Sequence, residues 1–446
     1  GSFSEDVGSL NAILRDGALQ LVSDTFIDGD QSISHISFRG NRELGAAINV
    51  RRRHNIHVHH VEFTDLRYFG FSIYGNTGYS STNQVALDSE KVPTTDDYIH
   101  GLNIHDCTFR NTTMDAYRYS SNRSSTGALM IGHLEGAHIH HNHIEETALD
   151  NGYGIKFNPT SHGYFRNITI NDNYVRIPES DEEWNMDIAI ELWHVYNGCR
   201  IYNNDINSDI SLIRGYKRDS TWACYIYNNR IVNDRPYSYD IALEAGTADL
   251  NTYNNYFAGF TGGINVVPDA NIPGTAKMVI RNNVFDGIGA NNGRRVNDGY
   301  PVTFFVFYTK ATSAHNWEEL SIINNTIYSQ EKGHYLFTLR RYVKRLTIAN
   351  NLFHCNEEQS FGKIEGDGEA ETIRITRNAF SNVTLTPANF MSSSGITDNL
   401  MERDAQSELR LSGERPFPYF AHESGSSLLK AGLDVGFSYE GTAPSI

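Results

Sequence analysis

The sequence predicts an all-β chain wound as a single-stranded right-handed parallel β-helix, and three observations predict it. A short phrase, an apolar residue, a spacer and then Asn-Asn or a close variant, recurs down most of the 446 residues. It stands at Ile139 to Asn142, Ile170 to Asn173, Ile201 to Asn204, Ile226 to Asn229 and Thr252 to Asn255. It continues at Ile280 to Asn283, Ile322 to Asn325, Ile348 to Asn351 and Ile375 to Asn378. The spacing is about 25 to 31 residues, with one gap of roughly 42 between Asn283 and Asn325 that marks an insertion. Each period also holds two short alternating stretches, such as HIHHNHIEE and GYGIKFN, separated by Gly or Asp.

Other repeat folds fail on period or pattern. Leucine-rich repeats need Leu at fixed offsets, propeller blades need about 40 residues or more, and helical repeats need a 3.6-residue period. Parallel coils about 4.8 Å apart stack like residues on like. Asn suits such a column because it tolerates a left-handed bend and its amide can bond backbone groups of the next coil.

The first clear strands are Ile33 to Asn41 and Asn55 to Phe63, with Leu10 to Asp28 left ambiguous. Residues 77 to 98 read as a polar excursion, after which LNIHDCTF resumes the helix with Cys107 in the ladder position of Asn. A second excursion spans 111 to 125 and further insertions lie within 286 to 318. The helix is expected over 1 to 383 and a C-terminal cap over 384 to 446, covering the last coil edge.

Composition limits the function classes. A formal charge of −16 argues against a nucleic-acid partner, and no apolar run approaches the roughly 20 residues of a membrane span. Four cysteines in this length make no disulfide framework and lack the close pairing of a zinc site. Cys199 and Cys224, each five positions before a ladder Asn, are expected to stack as free thiols. The opening Gly1-Ser2-Phe3 has no signal-peptide pattern.

The chemistry concentrates between Trp184 and Lys217, WNMDIAIELWHVYNGCRIYNNDINSDISLIRGYK. Aligning GYGIKFN, DIAIELWH, DISLIRGYK and DIALEAG puts Ile155, Ile190, Leu212 and Leu243 in a buried column, with Lys156, Glu191, Ser211 and Ala242 facing outward. Flanking columns gather Asn158, Trp193, Ile213 and Glu244 on one side and Ala189, Asp209 and Asp240 on the other. Carboxylates thus cluster over three coils, and Asp187 adds one more at a strand entry. The candidate catalytic residues are Glu191, Asp187, Asp209, Asp240, Glu244 and His194. Lys156, Trp193, Arg214, Lys217 and Trp184 are the candidate substrate-binding residues, the tryptophans as exposed platforms for sugar rings.

The basic runs at Arg51 to His54 and Arg340 to Arg345 read as solvated faces. His57 to His60 and His138 to His143 carry metal-type ligands, but alternation is expected to send successive imidazoles to opposite faces, so no metal site is assigned. No cofactor is expected, with Ca2+ left open.

The Asn-Asn phrases, the couplet IELWH then ISLI, and the ending SGSSLLKAGLDVGFSYEGTAPSI resemble secreted right-handed parallel β-helix repeat proteins of polysaccharide-degrading bacteria. Similar proteins include pectate and alginate lyases, chondroitinase B, polygalacturonases and iota-carrageenases. The resemblance implies a polysaccharide or oligosaccharide substrate, a groove along the parallel strands, a secreted, periplasmic or cell-surface location, and a monomer. The polygalacturonase and alginate-epimerase signatures are absent, and Lys156 with Arg214 is the only counterpart offered to the Lys and Arg pair of alginate lyases. Carboxylates outnumber bases in the cluster, which favours a glycoside hydrolase with paired carboxyls. A polysaccharide lyase working by β-elimination comes second, and a non-catalytic glycan-binding β-helix third.

Overall fold

A computed structural model describes residues 19–41, 44–67, 69–74, 99–112, 127–132, 134–146, 153–157, 165–177, 188–193, 195–213, 222–234, 241–246, 249–266, 276–289, 304–307, 317–330, 335–364, 369–390, 394–401, 426, 428 and 431–432. The described residues are nearly all strand, with no α-helix and one 3-10 turn at Pro387–Phe390. Among the described residues the strand pairings are parallel and link one coil to the next, which makes the chain a parallel β-helix. The chain divides into two compact units, Gly1–Tyr225 with Asp234–Ser238, and Ile226–Asn233 with Tyr239–Ile446.

In the first unit each coil lays its strands on three faces, the second of which can hold two short strands. One example is Tyr153–Phe157, then Phe165–Arg166 and Thr169–Asn171, then Tyr174–Arg176. The first strands of successive coils, Phe69–Tyr74, Gly127–Ile131, Tyr153–Phe157, Ile188–Trp193 and Asp209–Ile213, form one parallel face. The second strands form another, from Ala46–His59 through Ile99–His105 and Leu134–His140 to Cys199–Tyr202. The chain enters this unit earlier than the sequence suggests. Leu19–Ser34 is already a strand paired along Ala46–His59.

The bend between second and third strands is where the Asn phrase works. Its penultimate residue is left-handed, at φ 54 in His141 and Asp172 and φ 56 in Asn203, the conformation that Asn, Asp and His tolerate best among non-glycine residues. The following Asn is buried, and its Oδ1 accepts from the coil before. Asn142 N and Nδ2 both donate to Asn173 Oδ1, and Asn173 N and Nδ2 both donate to Asn204 Oδ1. Cys107 joins the same column through its backbone N–H, which donates to Asn142 Oδ1. Inside the coils Phe38, Phe63 and Phe109 stack in sequence at 5.7 and 4.5 Å.

The second unit repeats the plan. Its ladder runs Asn229, Asn255, Asn283, Asn325, Asn351, Asn378 and Asn399, each amide bonded to the next. The 42-residue interval between Asn283 and Asn325 leaves the ladder unbroken. Asn399 and the strand Ile396–Thr397, paired to Glu369–Thr376, carry the coil pattern past residue 384, where a cap was expected to begin. Asp286 belongs to the strand Val284–Ile288, not to an insertion. Leu428 packs against Leu352 and Ala379. Most of 402–446, the excursion expected at 77–98, and all but the first two residues of the one expected at 111–125 lie outside the described residues.

Candidate active site

Of the column expected on the first-strand face, Lys156, Glu191 and Ser211 stand in register. Asn49, Ser72 and Met130 continue the same register through the preceding coils. Alternation places Lys156 on the opposite side of its strand from Ile155 and Phe157, and Phe157 packs edge-on against Phe165 at 5.0 Å. The alignment shifts by one step at Ala189. Ile210 and not Leu212 lies beside Ile190, and Leu212 lies beside Leu192.

Exposure is where the expectation of an open patch fails. Lys156 and Glu191 have side chains 1% exposed, and Lys156 Nζ forms an ion pair with Glu191 Oε2. The same ammonium sits 3.6 Å from the centre of the Tyr153 ring. Burial holds the Lys156 pKa below its usual value, against the upward pull of Glu191. Glu191 Oε1 and Asn49 Nδ2 are buried with no hydrogen-bond partner among the described residues, while Ser72 Oγ donates to Asn49 Oδ1 at 3.2 Å.

The other expected residues divide by unit. Asp209 is buried, lies opposite Ile188 and accepts from Ser208 Oγ at 3.1 Å. It shares a strand face with Ser211, so strand spacing and rise set its Cα roughly 8 Å from that of Glu191 along a diagonal. Trp193 ends its strand half-buried rather than exposed. Glu244 belongs to unit two, where it lies beside Asn265 and is half-buried; Ala242, expected to face outward, is fully buried. Asp187, His194, Arg214, Lys217, Trp184 and Asp240 lie outside the described residues.

Comparison with family models, with curated proteins and with solved structures gives no match.

One cluster was missed in the sequence. On the second-strand face, His57, Asn103 and His138 stand in one register column and His59, His105 and His140 in the next. His57 and His59, like His138 and His140, are two apart and therefore share a face, contrary to the expectation that these imidazoles diverge. The rings of His59, His105 and His140 stack at 5.2 and 4.8 Å. The signal was available: each pair sits four and two positions before the ladder position at Val61, Cys107 or Asn142. Burial first, and mutual repulsion second, lower the pKa of His57, and push that of His140 down to about 4.

Proposed function

We propose that this protein is a carbohydrate-active enzyme that cleaves glycosidic bonds of a polysaccharide, with Glu191 and Asp209 as its working carboxyls. The observation that carries the reading is the buried Lys156–Glu191 pair, in which Glu191 Oε1 has no hydrogen-bond partner among the described residues. Desolvating two charges costs several kcal/mol per ion before attraction repays it, and apolar residues would fill the same space more cheaply. A carboxylate paired with a lysine in a dry surrounding, with its second oxygen unpartnered among the described residues, has the properties of a base or nucleophile. Asp209, set away from the lysine, then serves as the acid. With their Cα atoms roughly 8 Å apart, the two carboxyls can reach the separation of about 6.5 to 9.5 Å that leaves room for a water, which is the inverting arrangement.

A lyase is the second reading, favoured by Lys156. An ammonium whose pKa is lowered by burial yields a free amine nearer neutrality, and that amine can take the proton next to a uronate carboxyl. The test is a screen of the full chain against neutral and acidic polysaccharides, followed by reducing ends and ultraviolet absorbance. Hydrolysis gives new reducing ends without absorbance, and elimination gives both. Glu191→Gln should lower turnover by several orders of magnitude while the protein stays folded. A folded Glu191→Gln protein with the wild-type rate removes Glu191 from the chemistry, and binding without cleavage leaves a glycan-binding β-helix.

A further inference from the structure

The imidazole grid of unit one extends beyond its two columns. At the bends His35 stacks on His60 at 5.0 Å, while His60 and His141 stand edge-on to His59 and His140 at 5.2 and 5.1 Å. In three places the ring nitrogens of neighbours lie at hydrogen-bond distance: His57 Nε2 and His105 Nε2 at 2.8 Å, His59 Nδ1 and His60 Nδ1 at 3.0 Å, and His140 Nδ1 and His141 Nδ1 at 2.8 Å. Whichever ring of a pair donates, such a contact holds one proton between two nitrogens. Charging both rings puts a proton on each nitrogen, and the contact is lost. Little negative charge faces the grid. Asp106 Oδ2 lies 2.7 Å from His105 Nδ1, and among the described residues it is the one carboxylate ion-paired to a ring of the grid. Glu135 is engaged by Arg166 at 3.0 Å and lies beside His100 at 3.7 Å, Asp28 acts on His54, and Asp172 accepts from Asn171 Nδ2. The strand Leu19–Ser34 brings Ser32, uncharged, to within 3.3 Å of His59.

We infer that the grid is an acid-sensitive device built into unit one: on acidification its rings charge together, their shared contacts break, and the coils from Ala46–His59 to Leu134–His140 open while unit two stays closed. His35, His60 and His141 are exposed, so protons enter from water. Charges on rings stacked at 4.8 to 5.2 Å repel one another. The fold favours the neutral rings, since burial first, and neighbouring imidazoles next, hold His59 as well as His57 below the usual histidine value. Stability is therefore full above about pH 6.5, where closed and opened coils are both neutral, and falls below it because the opened chain takes up protons first. For His140 the loss continues down to about pH 4. The matching face of unit two carries Asn251, Val279, Ser321 and Thr347 in one column and Tyr253, Arg281, Ile323 and Ala349 in the next. Neither column contains a histidine.

Hydrogen exchange read by mass spectrometry on the full chain, at about pH 7.5 and about pH 5 and corrected for the intrinsic rate at each pH, follows the opening strand by strand. Peptides from Ala46–His59, Ile99–His105 and Leu134–His140 should lose protection by about tenfold or more at the lower pH and regain it on return. Those from Ala276–Arg281, Trp317–Ile323 and Tyr342–Ala349 should keep theirs. Asp106→Asn, which suits the left-handed bend at φ 51 and removes the carboxylate, should move the opening to higher pH. The triple variant His59→Gln/His105→Gln/His140→Gln, its fold at neutral pH checked by melting, should flatten the response. His143→Gln, whose ring stacks on Tyr174 at 4.7 Å outside the grid, should leave it as in the wild type. Equal loss of protection in both units would be general acid unfolding and would overturn the device. Full protection of all these strands at the lower pH would overturn it too, as would an unchanged response in the folded triple variant. If the triple variant does not fold, an opening pH that Asp106→Asn leaves in place decides against the device.

Discussion

Asn173 gives both its backbone N–H and its Nδ2 to a single oxygen, Oδ1 of Asn204, at 3.1 and 3.0 Å. Asn204 in turn donates Nδ2 to the carbonyls of Ile170 and Tyr202, each at 3.0 Å. One side chain therefore closes the bend of its own coil and that of the coil before. Replacing it with Leu strands the N–H of Asn173 and the carbonyl of Ile170 away from water. Asn204→Leu should cost on the order of 1 to 3 kcal/mol per stranded group, read as a lower midpoint in urea unfolding. An unchanged midpoint would mean that the ladder contributes nothing to stability.

Cys107 tests the same logic in the opposite direction. Its thiol points at the two carbonyls that a ladder amide would take, Val58 O at 3.7 Å and His105 O at 3.3 Å. Sulfur is a weak donor and offers no oxygen. Cys107→Asn should raise the unfolding free energy by about 1 kcal/mol, the worth of one net hydrogen bond. A loss of stability would show that the pocket is too small for the amide.

The ladder was readable from sequence because a bend needs a left-handed residue and then a buried amide, and few residue types meet both demands. Even the substitution at Cys107 could be seen from its neighbours. The Lys156, Glu191 and Ser211 register was readable for the same reason, since apolar residues fix which side of each strand faces the core. Their burial was not. Alternation tells which residues share a face, and says nothing of what covers that face. The step at Ala189 was also hidden, because Ile190, Ile210 and Leu212 are equally apolar partners for one another. The histidine grid was legible in principle but was judged by adjacent residues, whereas the strand period makes the second neighbour the relevant one.

The four cysteines, all buried and free, give a chemical prediction. Burial pushes the thiols of Cys107, Cys199 and Cys355 up to about 12, and raises Cys224 further with help from neighbouring Cys199. The native protein should not react with a thiol reagent at pH 8, and four thiols should appear on unfolding. The linkage has a definite sign. Unfolded thiols ionise near pH 8.5 to 9 while the folded ones stay protonated, so this contribution is complete below that pH and is lost as pH rises toward about 12. A disulfide between Cys199 and Cys224 would instead give two thiols.

The Lys156–Glu191 pair allows stability and chemistry to be separated. Lys156→Met removes the cation paired with the buried Glu191 carboxylate and should cost about 3 to 5 kcal/mol, because taking away one half of a buried ion pair leaves the other uncompensated. Adding Glu191→Leu to that variant removes the stranded charge. The double variant should recover to within about 1 kcal/mol of the wild type or exceed it, since apolar replacement of a buried pair is often neutral or stabilising. Urea midpoints of the four proteins complete the cycle. Activity should move differently: if Glu191 is a working carboxyl, the double variant regains its fold and stays inactive. A double variant both stable and active would make the pair a structural feature alone. One that remains several kcal/mol below the wild type would show that the space is shaped for charge, with the Tyr153 ring against the ammonium as part of that shape.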